Sequence, residues 1–381
     1  MKIYLDNAAS TPMSPEVLAY MKPYFCEVFG NPSSTHSHGR QLKNILEQSR
    51  RTIAEHLGAH NSEIVFTSGG TEADNLAIKG TVKGYGIKHI VSTSIEHHAV
   101  THSIETLEAE EKVKVTWLNV DRKGNIDLDE LRQVLANSPR SLVSLMHGNN
   151  EIGTLHDIAS IGEICKEHDA FFHSDTVQTM GNERYDLSQL YIHFLTASSH
   201  KFYGPKGAGF LYIRKGIKIP AIICGGSQER NMRAGTENIA MIAGMAFALD
   251  RCYKTFDEKN AQLRGLKEYM KSQLMARFPG VSFNGETEPA KSLPTVLNVA
   301  MPCGEEDAML LFSLDIAGIS ASGGSACNSG ANLGSHVLRG IQAPVSALKN
   351  SIRFSFGIQN TQEEIDYTLE QLGKLVVRQS V

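Results

Sequence analysis

Lys201 and Asp175 are the residues whose types and positions point most directly to catalytic chemistry. Lys201 ends the sequence S-S-H-K after a strand-like segment, where a sheltered lysine could form an imine with an aldehyde cofactor. Asp175, in H-S-D-T-V-Q, could keep a heterocyclic nitrogen protonated, and Gln178 could touch a substituent of the same ring. Each has a simpler alternative, because a loop lysine is usually a surface residue and an aspartate in this place can cap a helix.

The sequence T-S-G-G-T-E at 67–72 could bind a phosphate. It leaves a strand-like segment and enters a helix-like one. Its small residues would let backbone N–H groups and the helix N-terminus close around the phosphate, with Thr71 supplying a hydroxyl. A plain strand-to-helix turn with Thr71 as its N-cap is at least as good an interpretation of this motif alone.

Three further residues are candidates. His97, in S-I-E-H-H, could lie over a planar ring and move protons at neutral pH, or it could simply start a helix. Asn150, in G-N-N-E-I-G, could bond a cofactor oxygen or the substrate, or only form a turn. Cys327 stands among four glycines in the segment 321–334, so we expect an exposed thiol on a mobile segment.

Alternating strand-like and helix-like segments between about residues 60 and 215 must position these residues. The alternation predicts an α/β fold with a mainly parallel sheet that helices cover on both faces. Such a sheet places chemistry at the carboxyl ends of its strands, which is where the candidates fall. The strand-like runs are 63–67, 89–93, 114–120, 141–147, 170–175 and 191–198, and the helix-like runs are 71–82, 98–110, 127–137 and 157–168.

After about residue 235 the pattern changes. A long helix-like stretch covers roughly 237–277, and strand candidates follow at 281–285, 295–300 and 351–357. This change predicts a second, smaller α+β domain. The opening segment 1–13 is strand-like and could pack with either part.

Composition excludes several classes of protein. The 381 residues are 41% hydrophobic and 20% charged, as in folded globular proteins, so disorder is excluded for the chain as a whole. A net charge of −4 with no dense basic block argues against nucleic acid or a membrane as a partner. The six cysteines contain no C-x-x-C pair, which argues against a zinc ribbon, and we predict no metal ligands. Asp6 and Asn7 interrupt any signal peptide, so we expect a cytoplasmic protein.

Together, a phosphate seat, Asp175 on a pyridine nitrogen and Lys201 on an aldehyde predict a pyridoxal phosphate site. The chain also resembles, over nearly its whole length, the cysteine desulfurases of the NifS and IscS type, class V aminotransferases with the aspartate aminotransferase fold. The motifs that carry the resemblance are YLDNAASTP at 4–12, NPSSTHSHG at 31–39, FTSGGTEADNLA at 66–77, EHHAV at 96–100, NNEIG at 149–153, DTVQ at 175–178, SSHKFYGPKG at 198–207, GGSQERNMRAGTEN at 225–238, GGSACNSG at 323–330 and RFSFG at 353–357.

The resemblance implies a role for each candidate. Lys201 would be the Schiff-base lysine, His97 would stack on the ring, and Cys327 would take up sulfur. Arg353 would bind the substrate carboxylate with its planar, permanently charged fork, together with Asn150. Thr236 would reach the phosphate from the other subunit of a homodimer. The implied cofactor-binding residues are Gly70, Thr71, Asn150, Asp175, Gln178, Ser198, His200, Lys201 and Thr236.

The resemblance also implies domains and an activity. Residues 14–250 would form the large, cofactor-binding domain, and residues 1–13 with 251–381 the small domain. The enzyme would convert L-cysteine to L-alanine, form a persulfide on Cys327 and pass the sulfur to an acceptor protein such as an iron–sulfur scaffold. A selenocysteine lyase or an aminotransferase of the same fold is the nearest alternative. A sulfur-carrier platform without turnover is a further one, against which Lys201, Asp175, His97 and Cys327 together argue.

Overall fold

The computed structural model describes residues 2–302, 310–323 and 334–377. Its strands are β1 Ile3–Tyr4, β2 Ile64–Thr67, β3 His89–Thr93, β4 Lys114–Leu118, β5 Leu142–Ser144, β6 Phe171–Asp175, β7 Phe194–Ser198, β8 Gly209–Ile213, β9 Ser282–Asn284, β10 Val296–Ala300, β11 Ile319–Ser320 and β12 Ser351–Ser355. Its helices are α1 Pro15–Met21, α2 Pro23–Cys26, α3 Ser37–His56, α4 Gly70–Tyr85, α5 His98–Glu111, α6 Leu128–Ala136, α7 Ile158–Glu167, α8 Ile239–Lys254, α9 Phe256–Arg277, α10 Leu310–Ile316, α11 His336–Gly340, α12 Val345–Asn350 and α13 Gln362–Val377.

Seven strands form the large sheet, in the order β2-β8-β7-β6-β5-β3-β4. All neighbours pair in parallel except β8, which runs antiparallel to both β2 and β7. This confirms the prediction of a mainly parallel sheet in an α/β fold. β8, the apolar run Gly209–Ile213 that lies between β7 and β2, is not among the predicted strands.

Helices cover both faces of this sheet. Phe171 packs in a core with residues of α4 and α5, whereas its neighbour Phe172 packs in a second core with residues of α3 and α8. Adjacent residues of a strand point to opposite faces, so the two cores lie on opposite sides of the sheet. This double burial explains why the strands are continuous apolar runs.

A smaller antiparallel sheet has the order β12-β10-β9, and β1 pairs in parallel with β11. Ile3 and Leu5 share a core with residues of α9 and α13. The helix-like stretch predicted at roughly 237–277 is helical but consists of two helices, because α8 ends and α9 begins around Thr255, whose φ of −106° and ψ of 21° leave the helical range. The break lets α8 pack on α3 while α9 packs on α13. The domain boundaries at 13 and 250 stay a prediction.

The carboxyl ends of β2, β3, β5, β6 and β7 share one edge of the large sheet, since β2 is antiparallel to β8 and β8 to β7. The residues that follow these strands are therefore neighbours although they are far apart in the sequence. Within the described part of the chain, no helix combines the length and the apolar character that crossing a bilayer requires.

Candidate active site

The N-terminus of α4 is built to receive an anion. Gly69 precedes the helix, and no described side chain caps the first N–H groups. A Cβ on Gly70 would come within 2.8 Å of Val177 Cγ2, and one on Gly69 would lie 3.7 Å from Ser198 Oγ. Small residues thus keep the helix end open beside the Ser198 hydroxyl, and the partial positive charge of that end favours a phosphate. Thr71, in the first turn, is exposed.

Asp175 ends β6 as a buried carboxylate with little compensation. From the described residues it accepts one hydrogen bond, from the Val177 N–H at 2.8 Å. Burial raises the pKa of Asp175 to about 7, and the nearby charge of Asp74 adds to the rise. A cation brought to this carboxylate would be bound strongly because water screens little there. Gln178, one turn later, donates to the carbonyl oxygen of Ala8 at 3.0 Å.

Lys201 lies at the end of a short 3₁₀ turn, Ser199–Lys201, that follows β7. Its Nζ donates to the carbonyl oxygens of Ala8 and Ala9, the latter at 2.9 Å. The neighbouring His200 contacts Ser10 Oγ through Nδ1 at 3.2 Å, and burial lowers the pKa of His200 to about 4. The N-terminal segment at 8–10 therefore holds the lysine at the carboxyl edge of the sheet.

His97 caps α5 and faces the same place. Its Nδ1 accepts a hydrogen bond from the Ala99 N–H at 3.1 Å, which leaves the proton of the neutral ring on Nε2. Burial among protein atoms lowers the pKa of His97 to about 4, and the positive charge of Lys201 adds to the effect, although one side of the ring is open to solvent. One ring nitrogen of His97 and one carboxylate oxygen each of Asp74 and Asp175 lie within 4.8 Å of one another.

Arg353, in β12, reaches this edge from the small sheet. Its Nη2 donates to Asp6 Oδ1 at 2.8 Å, and its Nη1 donates to the carbonyl oxygen of Asn150 at 3.0 Å. Its Nε is buried and has no hydrogen-bond partner among the described residues. Ser322 Oγ also donates to Asp6 Oδ1, at 2.9 Å. The guanidinium is thus held in place with donor capacity left for a carboxylate.

Two predicted residues are not placed with the others. Cys327 lies outside the described residues. Thr236 is exposed on the segment before α8, and its predicted role in a partner subunit stays a prediction. The structure adds residues to which the sequence analysis gave no role. Asp6 pairs with Arg353, and the buried Asp74, Glu96 and His173 surround Asp175. Asp6 stood inside a matched motif, and Asp74 stood on the buried stripe of α4; both signals were present.

The described residues fit pyridoxal phosphate. The open helix end at Gly70 suits its phosphate, the buried Asp175 suits a protonated ring nitrogen, and Lys201 lies close enough for its charge to act on both Asp175 and His97. When bound, this cofactor supplies an electron sink for a carbanion at a substrate carbon.

Comparisons with known proteins agree with this geometry. The model of the family "Aminotransferase class-V" matches residues 3–368. The cysteine desulfurase IscS of Dictyoglomus turgidum is 43% identical over 380 residues, which cover 98% of this chain and 94% of that protein. A solved NifS-like protein has a TM-score of 0.91 at 33% identity, covering 99% of this chain and 100% of that one. A structure described as SspA in complex with cysteine has a TM-score of 0.82 at 33% identity, covering 93% and 99%.

These matches span nearly the whole chain and confirm the predicted family, fold and cofactor. The chain therefore belongs to the class V aminotransferase family and, within it, to the pyridoxal phosphate-dependent cysteine desulfurases of the NifS and IscS type.

Proposed function

We propose that this enzyme takes the sulfur of L-cysteine, leaves L-alanine and holds the sulfur as a persulfide on Cys327. The observation that supports this most is the N-terminal segment that links two sites. Asp6 of that segment bonds Arg353, and Ala8 and Ala9 of the same segment accept from Lys201. A substrate whose carboxylate lies on Arg353 would therefore have its α-carbon close to Lys201, as an α-amino acid requires.

Each residue of the site has a separate role in moving protons, orienting the substrate or stabilising charge. Lys201 is the base that removes the proton from the substrate α-carbon, and Arg353 orients the carboxylate. His97 is neutral at physiological pH with its proton on Nε2, directed away from its helix cap, so it can donate a hydrogen bond from that atom to a group bound beside it. Asp175 stabilises the positive charge of the cofactor's ring nitrogen.

Cys327 accepts the sulfur. Its thiolate attacks the substrate sulfur, the S–S bond forms as the Cβ–S bond breaks, and the electron pair of that bond stays on the carbon side, which is protonated to alanine. Cys327 follows Ser322 by five residues in the sequence. Ser322 shares the Asp6 carboxylate with Arg353, so the chain passes the proposed substrate-carboxylate site just before the segment that contains Cys327, which supports this role.

The first experiment measures alanine and sulfide together after L-cysteine and a reductant are added to the purified, cofactor-loaded protein. We expect equal amounts of the two products. Cys327→Ser should keep the yellow cofactor and lose sulfide, and Lys201→Ala should lose the yellow colour. Cys224→Ser is the matched control, because Cys224 is an exposed free cysteine among the described residues. Sulfide release that survives Cys327→Ser would overturn the role of this thiol.

The same assay separates the alternatives. Faster turnover of selenocysteine than of cysteine would identify a selenocysteine lyase, and amino-group transfer to a keto acid without sulfide would identify an aminotransferase. A protein that binds sulfur but forms no alanine would be a carrier platform.

We further propose that the enzyme is a cytoplasmic homodimer that passes its sulfur to an iron–sulfur scaffold or a similar acceptor protein. Leu18, Phe25 and Phe29 are large apolar side chains exposed on α1, α2 and the following segment, and exposed apolar side chains of this size suit burial by a second copy. The described cysteines are free thiols, as is usual in a reducing compartment. Light scattering tests the dimer. Sedimentation of fractionated cells and transfer of ³⁵S from Cys327 to a purified scaffold test the other two.

A further inference from the structure

Three buried carboxyl groups meet at the ring-nitrogen end of the site. Asp74, from the second turn of α4, is 1% exposed. Glu96, just before α5, is fully buried, and Asp175, at the end of β6, is 7% exposed. The charges of Asp74 and Asp175 act on Glu96, and that of Asp74 acts on Asp175. Buried carboxylates coupled in this way cannot all be ionised, because each like charge disfavours the next. Their protonation must therefore be decided as a group.

Asp74 is the carboxyl group behind Asp175. One of its carboxylate oxygens lies within 4.8 Å of a carboxylate oxygen of Asp175. Its Oδ1 is buried and has no hydrogen-bond partner among the described residues, and the Thr196 hydroxyl bonds the Asp74 carboxyl group. This unsatisfied oxygen is costly unless a charge or a proton compensates it.

His173 does not supply that compensation. Its Nε2 lies 3.4 Å from Asp74 Oδ1, but its two ring nitrogens are engaged by hydroxyls, Ser144 Oγ at 2.8 Å and Thr196 Oγ1 at 3.1 Å. Burial lowers the pKa of His173 to about 4 and raises that of Asp74 to about 7. The contact is therefore not an ion pair at neutral pH, and no described residue compensates the negative charge that Asp74 carries when it is ionised.

We propose that Asp74 is a positioning residue that acts through Asp175, so that the pair shares one proton without the cofactor and both carboxylates hold the proton of the ring nitrogen when it is bound. The proposal rests on the pyridoxal phosphate site described above. Two negative charges near the ring nitrogen keep it protonated to a higher pH than Asp175 alone would. Among the described residues, Glu96, His97, His173 and Lys201 are the other titratable groups near the pair, and all four are present in every variant compared below.

The test follows the ring nitrogen directly. The holoenzyme is loaded with ¹⁵N-labelled pyridoxal phosphate, and the ¹⁵N shift of the ring is titrated with pH. We expect the midpoint for loss of the ring proton to fall by at least about one pH unit in Asp74→Asn, the size of shift that an ionised neighbour within about 6 Å produces. Asp129→Asn, an exposed site on α6, is the matched control. Equal midpoints in wild type and Asp74→Asn would overturn the proposal.

A second measurement needs no cofactor. In the apoprotein a carboxyl group whose pKa is raised on folding stabilises fully below its unfolded pKa of about 4, and the stability is lost as pH rises through about 7. Apo Asp74→Asn should therefore melt at a higher temperature than apo wild type at pH 8. A merely structural Asp74 would give a lower melting temperature at every pH, which would overturn the proposal. If Asp74→Asn binds the cofactor poorly, Asp74→Ser replaces it in both measurements, with the same expected results.

Neither readout uses cysteine turnover. A failed desulfuration assay with a normal ¹⁵N titration would refute the proposed function alone, and the reverse result would refute only the role of Asp74.

Discussion

Buried carboxylates lie in two regions of the large sheet. Their charge is compensated by a cation in one region and not in the other. Near β2, Glu229 forms a two-pronged ion pair with Arg50 at 2.7 and 2.8 Å, and it also accepts from the Phe66 N–H at 2.9 Å. At the carboxyl edge, Asp74 and Asp175 have no such cation bonded to them among the described residues, and burial raises the pKa of each to about 7.

The difference separates structure from function. A buried carboxylate with a complete set of partners is already compensated when the chain has folded, and removing one partner leaves the other charge uncompensated. A buried carboxylate without a cation is unstable by itself, and its environment becomes favourable when a positively charged ligand arrives. The first region thus fixes the segment that contains Glu229, whose backbone has a φ of 42°, whereas the second is prepared for a cofactor.

Glu229→Gln should have the largest effect on stability. It would leave the buried Arg50 guanidinium with only the partly exposed Glu47, 3.2 Å from its Nε, as counter-charge. Breaking a buried pair costs about 3–5 kcal/mol, and we expect a loss near the lower end of that range. The free energy of unfolding of the apoprotein, measured with urea, checks this. Glu163→Gln on α7 removes an exposed ion pair and should cost less than about 1 kcal/mol. Equal small losses in both variants would erase the distinction between the two regions.

Asp175→Asn should keep the fold and damage the chemistry. The amide has no charge with which to stabilise the protonated ring, so we expect kcat to fall by roughly 10²–10³-fold, the usual loss when one electrostatic group is removed from a site. Stability of the apoprotein at pH 8 should rise, because an uncompensated buried charge is gone. Steady-state alanine formation and thermal melting check the two halves. A less stable apoprotein would show that Asp175 is as structural as Glu229.

The sequence predicted the residues that would contact the cofactor and the substrate. It did not predict Asp6 and Asp74, which lie next to those residues. Strand ends, Lys201 and the open glycines at α4 are readable because they are local patterns. Asp6 meets Arg353 across 347 positions of sequence, and no periodicity reports such a pairing. Asp74 was readable in part, since a charged residue interrupts the otherwise apolar stripe of α4. The break at Thr255 could not be read, because both flanking helices have helical patterns and only packing on two different cores separates them.

Arg353→Gln should weaken substrate binding more than catalysis. Its guanidinium is already held by Asp6 and by Asn150 O, so its loss removes a pre-oriented donor rather than the fold. A charged hydrogen bond contributes about 2 kcal/mol, so KM for L-cysteine should rise roughly 30-fold with a smaller change in kcat. Arg132→Gln on the exposed face of α6 is the control. An unchanged KM would remove Arg353 from the substrate site.

Lys267 offers the smallest effect and a test with the opposite sign. This buried cation on α9 has neutral partners, Ser292 Oγ at 2.9 Å and Leu293 O at 2.7 Å, and burial lowers its pKa to about 7. The unfolded chain then binds more protons than the folded one between about pH 7 and 10, so this lysine makes stability rise with pH, by about 1 kcal/mol from pH 7 to pH 8.

Lys267→Met should remove that slope, which urea unfolding of the apoprotein at the two pH values measures. Lys374→Met, at an exposed position of α13, should leave it intact. We expect the Asp74–Asp175 pair to lower the stability of the folded protein as pH rises, and Lys267 to increase it. Both results together would show that a buried charge without a counter-charge, rather than burial itself, makes each region sensitive to pH. An unchanged slope in Lys267→Met would contradict this, since the ammonium would then be compensated in the folded protein.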